Sequence, residues 1–571
     1  MSGVKERASL RPLANSANGA AVSTESPASS LLTHDAIDAN LNGAHEANGR
    51  AARNGATATT AAPKTAHTSA NHTANHTTNP ARNHTGTGAT KRRQPAQTTP
   101  QAPDDPAALA TARATIVRLR DEASAVARPL VGPGAAPIRV MARMVADLEA
   151  QCRELGLPEQ VTRVEVVNRT IGDVDLRRVS PVEDGPEYVS LADDMGLALP
   201  GEVIGGRRST GETYHWLHAR MLDFERKLLA RHFDLRVYDL SGVGNPLLRE
   251  TLAEHAYNLW GHRFTPEQIY LSIGSLDGIG KTLQGYTSVL RQQGEDHFTL
   301  LCPSPGFNVP EWQATTLGWR LHRVYTRAAD NFKLTPDDLT TALAEAPDLR
   351  AIYLTVSNNP TAFAYTAGEL RALFDVLRAS DRKPLVIADL AYIGTADPTQ
   401  DRARMAPFFE AGALEQTIFC CSYSKSHTLT GDRCGWVAFG DPALATDFGP
   451  GWTNTTAALP AEWQLRYMAY VQLFAERPEL EQRIRALYHL RRERLNRQLR
   501  WFNAREPIFA QINLDDGGTV YNWSQLTPGE DVFSLFGKTG IAGVPGGAFG
   551  YSDDYVRLSI GCIPVPEVPS A

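Results

Sequence analysis

Apolar and polar positions change rhythm twice along this chain of 571 residues. The first hundred or so, with stretches such as "NGATATTAAPKTAHTSANHTANHTTNP", hold almost no large apolar residue to bury. That composition predicts a disordered, low-complexity tail over residues 1–105. From Asp105 the spacing becomes helical, in "DPAALATARATIVRLRDEASAV" and then "IRVMARMVADLEAQCRELGL", with apolar residues at threes and fours around a Pro-Gly break. "GETYHWLHARMLDFERKLLARHF" continues this style. Residues 106–230 therefore read as an N-terminal helical extension and part of a small domain. After residue 230 short apolar runs alternate with helical segments: "QIYLSIG", "HFTLLCPSPG", "RAIYLTVSNNP", "KPLVIADLAY", "QTIFCCSYSK" and "CGWVAF". Runs of this length, apolar on both faces and closed by polar or Gly/Pro turns, predict buried strands of a mainly parallel sheet. The fold class is α/β, with helices flanking the sheet across residues 231–455 and a smaller α+β domain over 456–571.

Composition narrows the partners. The chain carries 57 Lys and Arg against 63 Asp and Glu, a net charge of −6, which favours neither nucleic acid nor an anionic membrane surface. "KRR" at Lys91–Arg93 is too short to change that. Neither a membrane-spanning apolar run nor the plan of a signal peptide is visible, so a cytoplasmic protein is expected. Three "NHT" triplets, from Asn71, Asn75 and Asn83, then read as solvated low-complexity sequence rather than as glycosylation or metal sites. The six cysteines, Cys152, Cys302, Cys420, Cys421, Cys434 and Cys562, lack zinc spacing and disulfide density and read as reduced thiols.

In such sheets ligands gather at the strand ends, so the residues just after each run matter most. After "YLSI", Gly274, Ser275 and Leu276 open a helix whose free N–H groups suit an anion, although glycine before a helix is common. After "IYLTVS" stands Asn358-Asn359-Pro360-Thr361, which offers a rigid amide or simply a turn. Asp389 follows four apolar residues, with Tyr392 three positions on; a carboxylate there needs a cation, a hydrogen-bond donor or a helix to cap. Lys425 follows a strand and the hydroxyls of Ser422 and Ser424, and Arg433 lies eight residues further. A desolvated lysine near other cations can join an aldehyde, and an arginine can fork two bonds to an anion. Taken together and in this order, the set is what a phosphorylated pyridine aldehyde requires.

These segments resemble the class I and II aminotransferases, the aspartate aminotransferase-like fold of pyridoxal 5′-phosphate enzymes, over roughly residues 185–560. "SYSKSHTLTGDRCGW" is similar to that family's Ser-x-Ser-Lys and Gly-x-Arg-x-Gly segments. The resemblance implies a large domain with a seven-stranded sheet, and a small domain formed from both chain ends. It implies that Lys425 holds the cofactor's aldehyde, and that Ser422 and Arg433 grip its phosphate along with Gly274, Ser275 and Leu276. "ADLAY" resembles Asp-x-x-Tyr, giving Asp389 to the pyridine nitrogen and Tyr392 to the ring hydroxyl, and "NNPT" gives Asn359 to the same hydroxyl. "PSPGF" implies that Phe307 stacks on the pyridine. "YDLSGVGNPLLRETLAEH" implies that Tyr238 reaches the phosphate of a neighbouring subunit, hence a homodimer with shared sites. "YVRLSIG" implies that Arg557 holds the carboxylate of an amino-acid substrate.

Two positions depart from the pattern: Ala362 stands where the family usually has glycine, and Tyr238 lies one residue further than usual from its following glycine. The expected reaction is transamination between an amino acid and a 2-oxo acid. The same residues also serve lyases, decarboxylases, oxidases or cyclases, and carbon–carbon bond-forming synthases, and that alternative stays open at this level. "ADDMGLALPGEVIGG" is a candidate loop for the substrate's side chain.

Overall fold

The computed structural model describes residues 105–131, 137–179, 186–513 and 519–568. The predicted tail, apart from Asp105, lies outside the described residues.

The apolar runs form one sheet of seven strands: β1 (Ile269–Ile273), β2 (Thr299–Ser304), β3 (Arg320–Tyr325), β4 (Leu349–Thr355), β5 (Leu385–Asp389), β6 (Thr417–Ser422) and β7 (Cys434–Phe439). Their order is β1-β7-β6-β5-β4-β2-β3, parallel throughout except β7, which runs antiparallel to both neighbours. Every residue of β5, β6 and β7 is buried, as runs apolar on both faces demand. β3 was not among the predicted strands. It is an edge strand, "RLHRVY", with no buried position, so its sequence carries no apolar run.

The helical stretches follow the spacing. Asp105 caps α1 (Pro106–Ala127), its side chain accepting the Ala107 N–H at 3.0 Å with proline at the first helical position. α2 (Pro137–Glu154) buries Met141, Met144, Val145, Leu148 and Cys152, a stripe at threes and fours. Further on come α3 (Glu212–Ala230), α4 (Ser275–Gln292), α5 (Ala461–Glu476), α6 (Glu479–Asn503) and α7 (Val532–Thr539).

A second, antiparallel sheet of β8 (Phe509–Gln511), β9 (Tyr521–Leu526), β10 (Val544–Pro545) and β11 (Tyr555–Ser559) runs in the order β8-β9-β11-β10. Both chain ends build this part. Val167–Asn168 pairs in parallel with Ile541–Ala542, Ser559 donates to the Arg169 carbonyl at 2.8 Å, and α1 packs on α7. α6 ties the two sheets together. Near its start Glu481 meets the loop after β6, and further along Arg491 donates to the Gly561 carbonyl at 2.8 Å beyond β11. At ~1.5 Å per residue a helix of this length spans roughly 37 Å, enough to bridge both layers. All six cysteines are buried and unpaired. Among the described residues no helix is long and apolar enough to cross a membrane.

Candidate active site

Lys425 sits on the turn that leaves β6, and three anchors fix that turn. The Tyr488 hydroxyl on α6 donates to the Lys425 carbonyl at 2.7 Å. Ser422 Oγ accepts the Ser424 N–H at 3.1 Å and shares a 2.7 Å bond with the Ser424 hydroxyl. His427, bonded to Ser426 Oγ at 2.7 Å, meets Glu481 at 3.2 Å. The lysine is half-buried, and its ammonium donates to the Gly172 carbonyl, on the segment that follows α2. Burial pushes its pKa down and the Arg557 and Arg433 cations push the same way, while Tyr521 and Asp173 pull against them.

Asp389 ends β5, one strand over, with its Cα paired to Cys420 of β6. One carboxylate oxygen accepts the Tyr353 hydroxyl at 2.7 Å and the other the Ala391 N–H at 3.0 Å. Burial raises its pKa; those two hydrogen bonds offset only part of the rise. No cationic side chain of the described residues pairs with it. A fully buried carboxylate in that state is costly unless a ligand brings the cation.

Beside Lys425 the chain turns back into β7. Arg433, at φ 58°, donates to the Thr430 carbonyl at 2.9 Å, and its guanidinium lies against Gly274, where an added Cβ would stand 2.4 Å from Nη2. Gly435 is just as constrained: a Cβ there would meet the Gly274 backbone at 2.5 Å. The two glycines let β7 carry the arginine onto the start of α4. Gly274 has no side chain with which to cap that helix, so the first-turn N–H groups of Ser275 and Leu276 remain available beside the guanidinium. The arrangement could hold a phosphate.

The second sheet contributes Arg557, 2% exposed on β11. It donates to Asn359 Oδ1 at 3.1 Å and to the Thr170 carbonyl at 2.6 Å, and lies 4.3 Å from the Tyr521 ring centre and 4.9 Å from that of Phe549. Its Nε is buried without a partner. The Tyr392 hydroxyl lies 3.1 Å from that of Tyr521. Burial, with Tyr521 beside it, drives the Tyr392 phenol well up; at Tyr521 burial is outweighed by the Arg557 and Lys425 cations, and its pKa falls. Phe307 is half-buried on the loop after β2, tied to the loop after β4 by Asn358, which donates to the Pro305 carbonyl at 3.0 Å.

Of the residues singled out by sequence, Lys425, Asp389, Tyr392, Ser422, Arg433, Gly274, Ser275, Leu276, Phe307 and Asn359 all lie at or beside the ends of large-sheet strands, and Arg557 on β11 meets them at Asn359. Tyr238 stands apart, 77% exposed, with Leu240 86% exposed close by. Three contributors carry no sequence signal. Tyr353 lies inside an apolar run, Tyr521 follows a glycine-rich stretch, and Thr170–Asp173 looks like any polar turn.

A lysine on the turn after β6 and a buried carboxylate at the end of β5 are faced by an arginine from the second sheet. Residues 239–564 match the family described as aminotransferase class I and II, and the chain belongs to that family. Among curated relatives, the aspartate aminotransferase of Geobacillus stearothermophilus is 27% identical over 335 residues, 56% of this chain and 78% of that protein. The LL-diaminopimelate aminotransferase of Desulforudis audaxviator is 26% identical over 342 residues, 58% and 80% of the two. Among solved structures, the aspartate aminotransferase of Thermus thermophilus with maleate superposes at a TM-score of 0.51 and 19% identity, covering 73% of this chain and 92% of that one. That of Rhizobium meliloti gives 0.52 and 18%, covering 73% and 90%. These likenesses show the aspartate aminotransferase-like fold, and the family makes the chain an aminotransferase-like enzyme.

Proposed function

We propose that this enzyme binds pyridoxal 5′-phosphate and moves an amino group between an amino acid and a 2-oxo acid. One observation carries the reading: Asp389 is a buried carboxylate with hydrogen bonds but, among the described residues, no cationic side chain beside it, and its strand neighbours the one that leads to Lys425, whose pKa is pushed down. Asp389 would pair with the cofactor's protonated ring nitrogen, and Lys425 would take its aldehyde.

When bound, the cofactor supplies an electron-accepting ring that spreads the charge left when a bond to the substrate's α-carbon breaks. Asp389 would keep the ring nitrogen protonated, and Tyr353 and the Ala391 N–H hold Asp389 in place. Arg433, Ser422 and the open start of α4 grip the phosphate. Tyr392 and Asn359 would hold the ring hydroxyl, and Phe307 would pack on the ring. Arg557, already oriented by Asn359 and Thr170 and flanked by two aromatic rings, takes the substrate's carboxylate with the face it leaves free. Lys425, whose pKa burial lowers, would take the α-proton and return it at the carbon that was the cofactor's aldehyde. Tyr238, exposed together with Leu240, reaches the phosphate site of a second copy in a homodimer.

Reduction of the cofactor-loaded protein with borohydride, followed by peptide mass mapping, tests this assignment. The added mass is expected on Lys425 and is expected to vanish in Lys425→Ala. Label on any other lysine, or label retained in the variant, would remove Lys425 from its role.

A further inference from the structure

Residues 186–211, which precede the matched family region, lie against the loop that carries Lys425. Asp193 organises this segment: its carboxylate accepts the Ser209 hydroxyl at 2.7 Å and the N–H groups of Thr210 at 3.0 Å and Gly211 at 3.2 Å. The next residue, Asp194, fastens it to α6 through Arg483 at 2.6 Å. Met195 receives the Thr428 hydroxyl at 3.6 Å, three residues beyond Lys425. Between this segment and the 428–432 loop lies a cavity of about 320 Å³, lined among others by Leu197, Tyr214, Thr430, Asp432, Tyr470 and Asp173. That volume is at the lower end of small-molecule sites, which run from roughly 300 to 1,000 Å³, and far above the ~30 Å³ of one water.

The cavity shares a wall with the lysine site. Gly172, whose carbonyl takes the Lys425 ammonium, directly precedes Asp173. The Thr430 hydroxyl donates to Asp173, while the Thr430 carbonyl accepts from Arg433. Asp173 stands at that wall: it lines the cavity, and its charge acts on the Lys425 ammonium.

The charges in the cavity indicate what it takes. Arg466 is engaged by Asp432 at 3.6 Å and by the Tyr470 hydroxyl at 3.4 Å, and Arg177 by the Leu197 carbonyl and by Glu202 at 3.5 Å. Beyond its attraction to the Lys425 ammonium, Asp173 accepts the Thr430 hydroxyl and the Val174 N–H, the latter at 2.7 Å; among the described residues no cationic side chain forms an ion pair with it. We infer that the cavity receives the far end of the substrate's side chain and that this end is a cationic nitrogen group, an ammonium or guanidinium, paired with Asp173 and bordered by Tyr214. The inference names the substrate class for the reading above and rests on it.

Calorimetric titration of the cofactor-loaded enzyme with 2-methyllysine and 2-methylnorleucine tests it, because neither has an α-proton to lose and binding is read without turnover. The lysine analogue is expected to bind about tenfold more tightly or better. Asp173→Asn should erase most of that ratio, and Thr430→Val, which frees the carboxylate, should keep or raise it. A ratio at or below unity, or one that falls in both variants or in neither, overturns the inference. If 2-methylnorleucine binds well and norleucine is transaminated, the proposed function stands although the substrate class is wrong. If no amino acid is transaminated, the function itself fails, and calorimetry still decides the cavity.

Discussion

Asp389→Asn should act with opposite sign on the cofactor-free and cofactor-loaded protein. In the cofactor-free chain the carboxylate is fully buried and its pKa is raised by that burial. A carboxyl whose folded pKa lies above its unfolded value favours folding when protonated; that contribution is complete below the unfolded pKa and is lost as pH rises through the folded one. Above the folded pKa the ionised group is therefore a net cost to the fold. The amide removes this cost but weakens the bond from Tyr353, a charge-assisted contact worth about 1.5–3 kcal/mol. The net change should be small, zero or stabilising by about 1 kcal/mol. In the loaded protein the same substitution breaks a buried, hydrogen-bonded charge pair, for which losses run from about 2 to 5 kcal/mol. At ~1.4 kcal/mol per factor of ten, pyridoxal phosphate affinity falls from about 30-fold to several thousand-fold. Thermal unfolding with and without the cofactor, at about pH 6 and pH 8, reads both effects. An Asn variant that binds the cofactor as tightly as the parent, or that loses equal stability with and without it, would refute the account of Asp389.

Three further outcomes are expected. Tyr521→Phe keeps the ring beneath Arg557 but removes the hydroxyl that meets Tyr392 at 3.1 Å; it should lower kcat by about tenfold with little change in KM, and the tyrosinate absorbance that titrates below the usual phenol range in the cofactor-free protein should disappear. His255 is half-buried edge-on to Tyr423 with its Nε2 covered, and desolvation lowers its pKa to about 4. Its stabilising contribution is then present above the unfolded value and lost as pH falls toward 4, on the order of 3 kcal/mol, so His255→Phe should flatten stability between about pH 6.5 and pH 4 in urea titrations. Ala362 occupies the left-handed region at φ 66°, which costs an L-residue about 1–2 kcal/mol, and the greater freedom of glycine when unfolded returns about 0.4–1 kcal/mol of that. Ala362→Gly should therefore stabilise the fold by about 1 kcal/mol or less in a urea denaturation, without altering activity.

Six of the seven large-sheet strands were legible because burial on both faces forces continuous apolar runs, and the polar residues ending those runs could be picked out against them. Lys425, Asp389 and Arg433 carry their signal in that contrast. β3 was not legible, since an edge strand with "RLHRVY" has no apolar run to betray it. Arg557 was visible only through resemblance: nothing local to "YVRLSIG" indicates that β11 brings it beside Asn359, 198 positions earlier. The Gly172–Asp173 segment and Tyr521 were missed for the same physical reason, since their place depends on both chain ends closing the second sheet. Ala362 was noted as a departure; its positive φ supplies the reason glycine would suit that position.

Single-turnover conversion tests the central claim most directly. Cofactor-loaded enzyme is mixed with an amino acid and no 2-oxo acid acceptor, and the product is counted by mass spectrometry. The account predicts one equivalent of 2-oxo acid per site, with the amino group retained on the cofactor until an acceptor is added. Product accumulating over many turnovers without an acceptor would contradict it and make the enzyme a lyase, decarboxylase, oxidase or synthase.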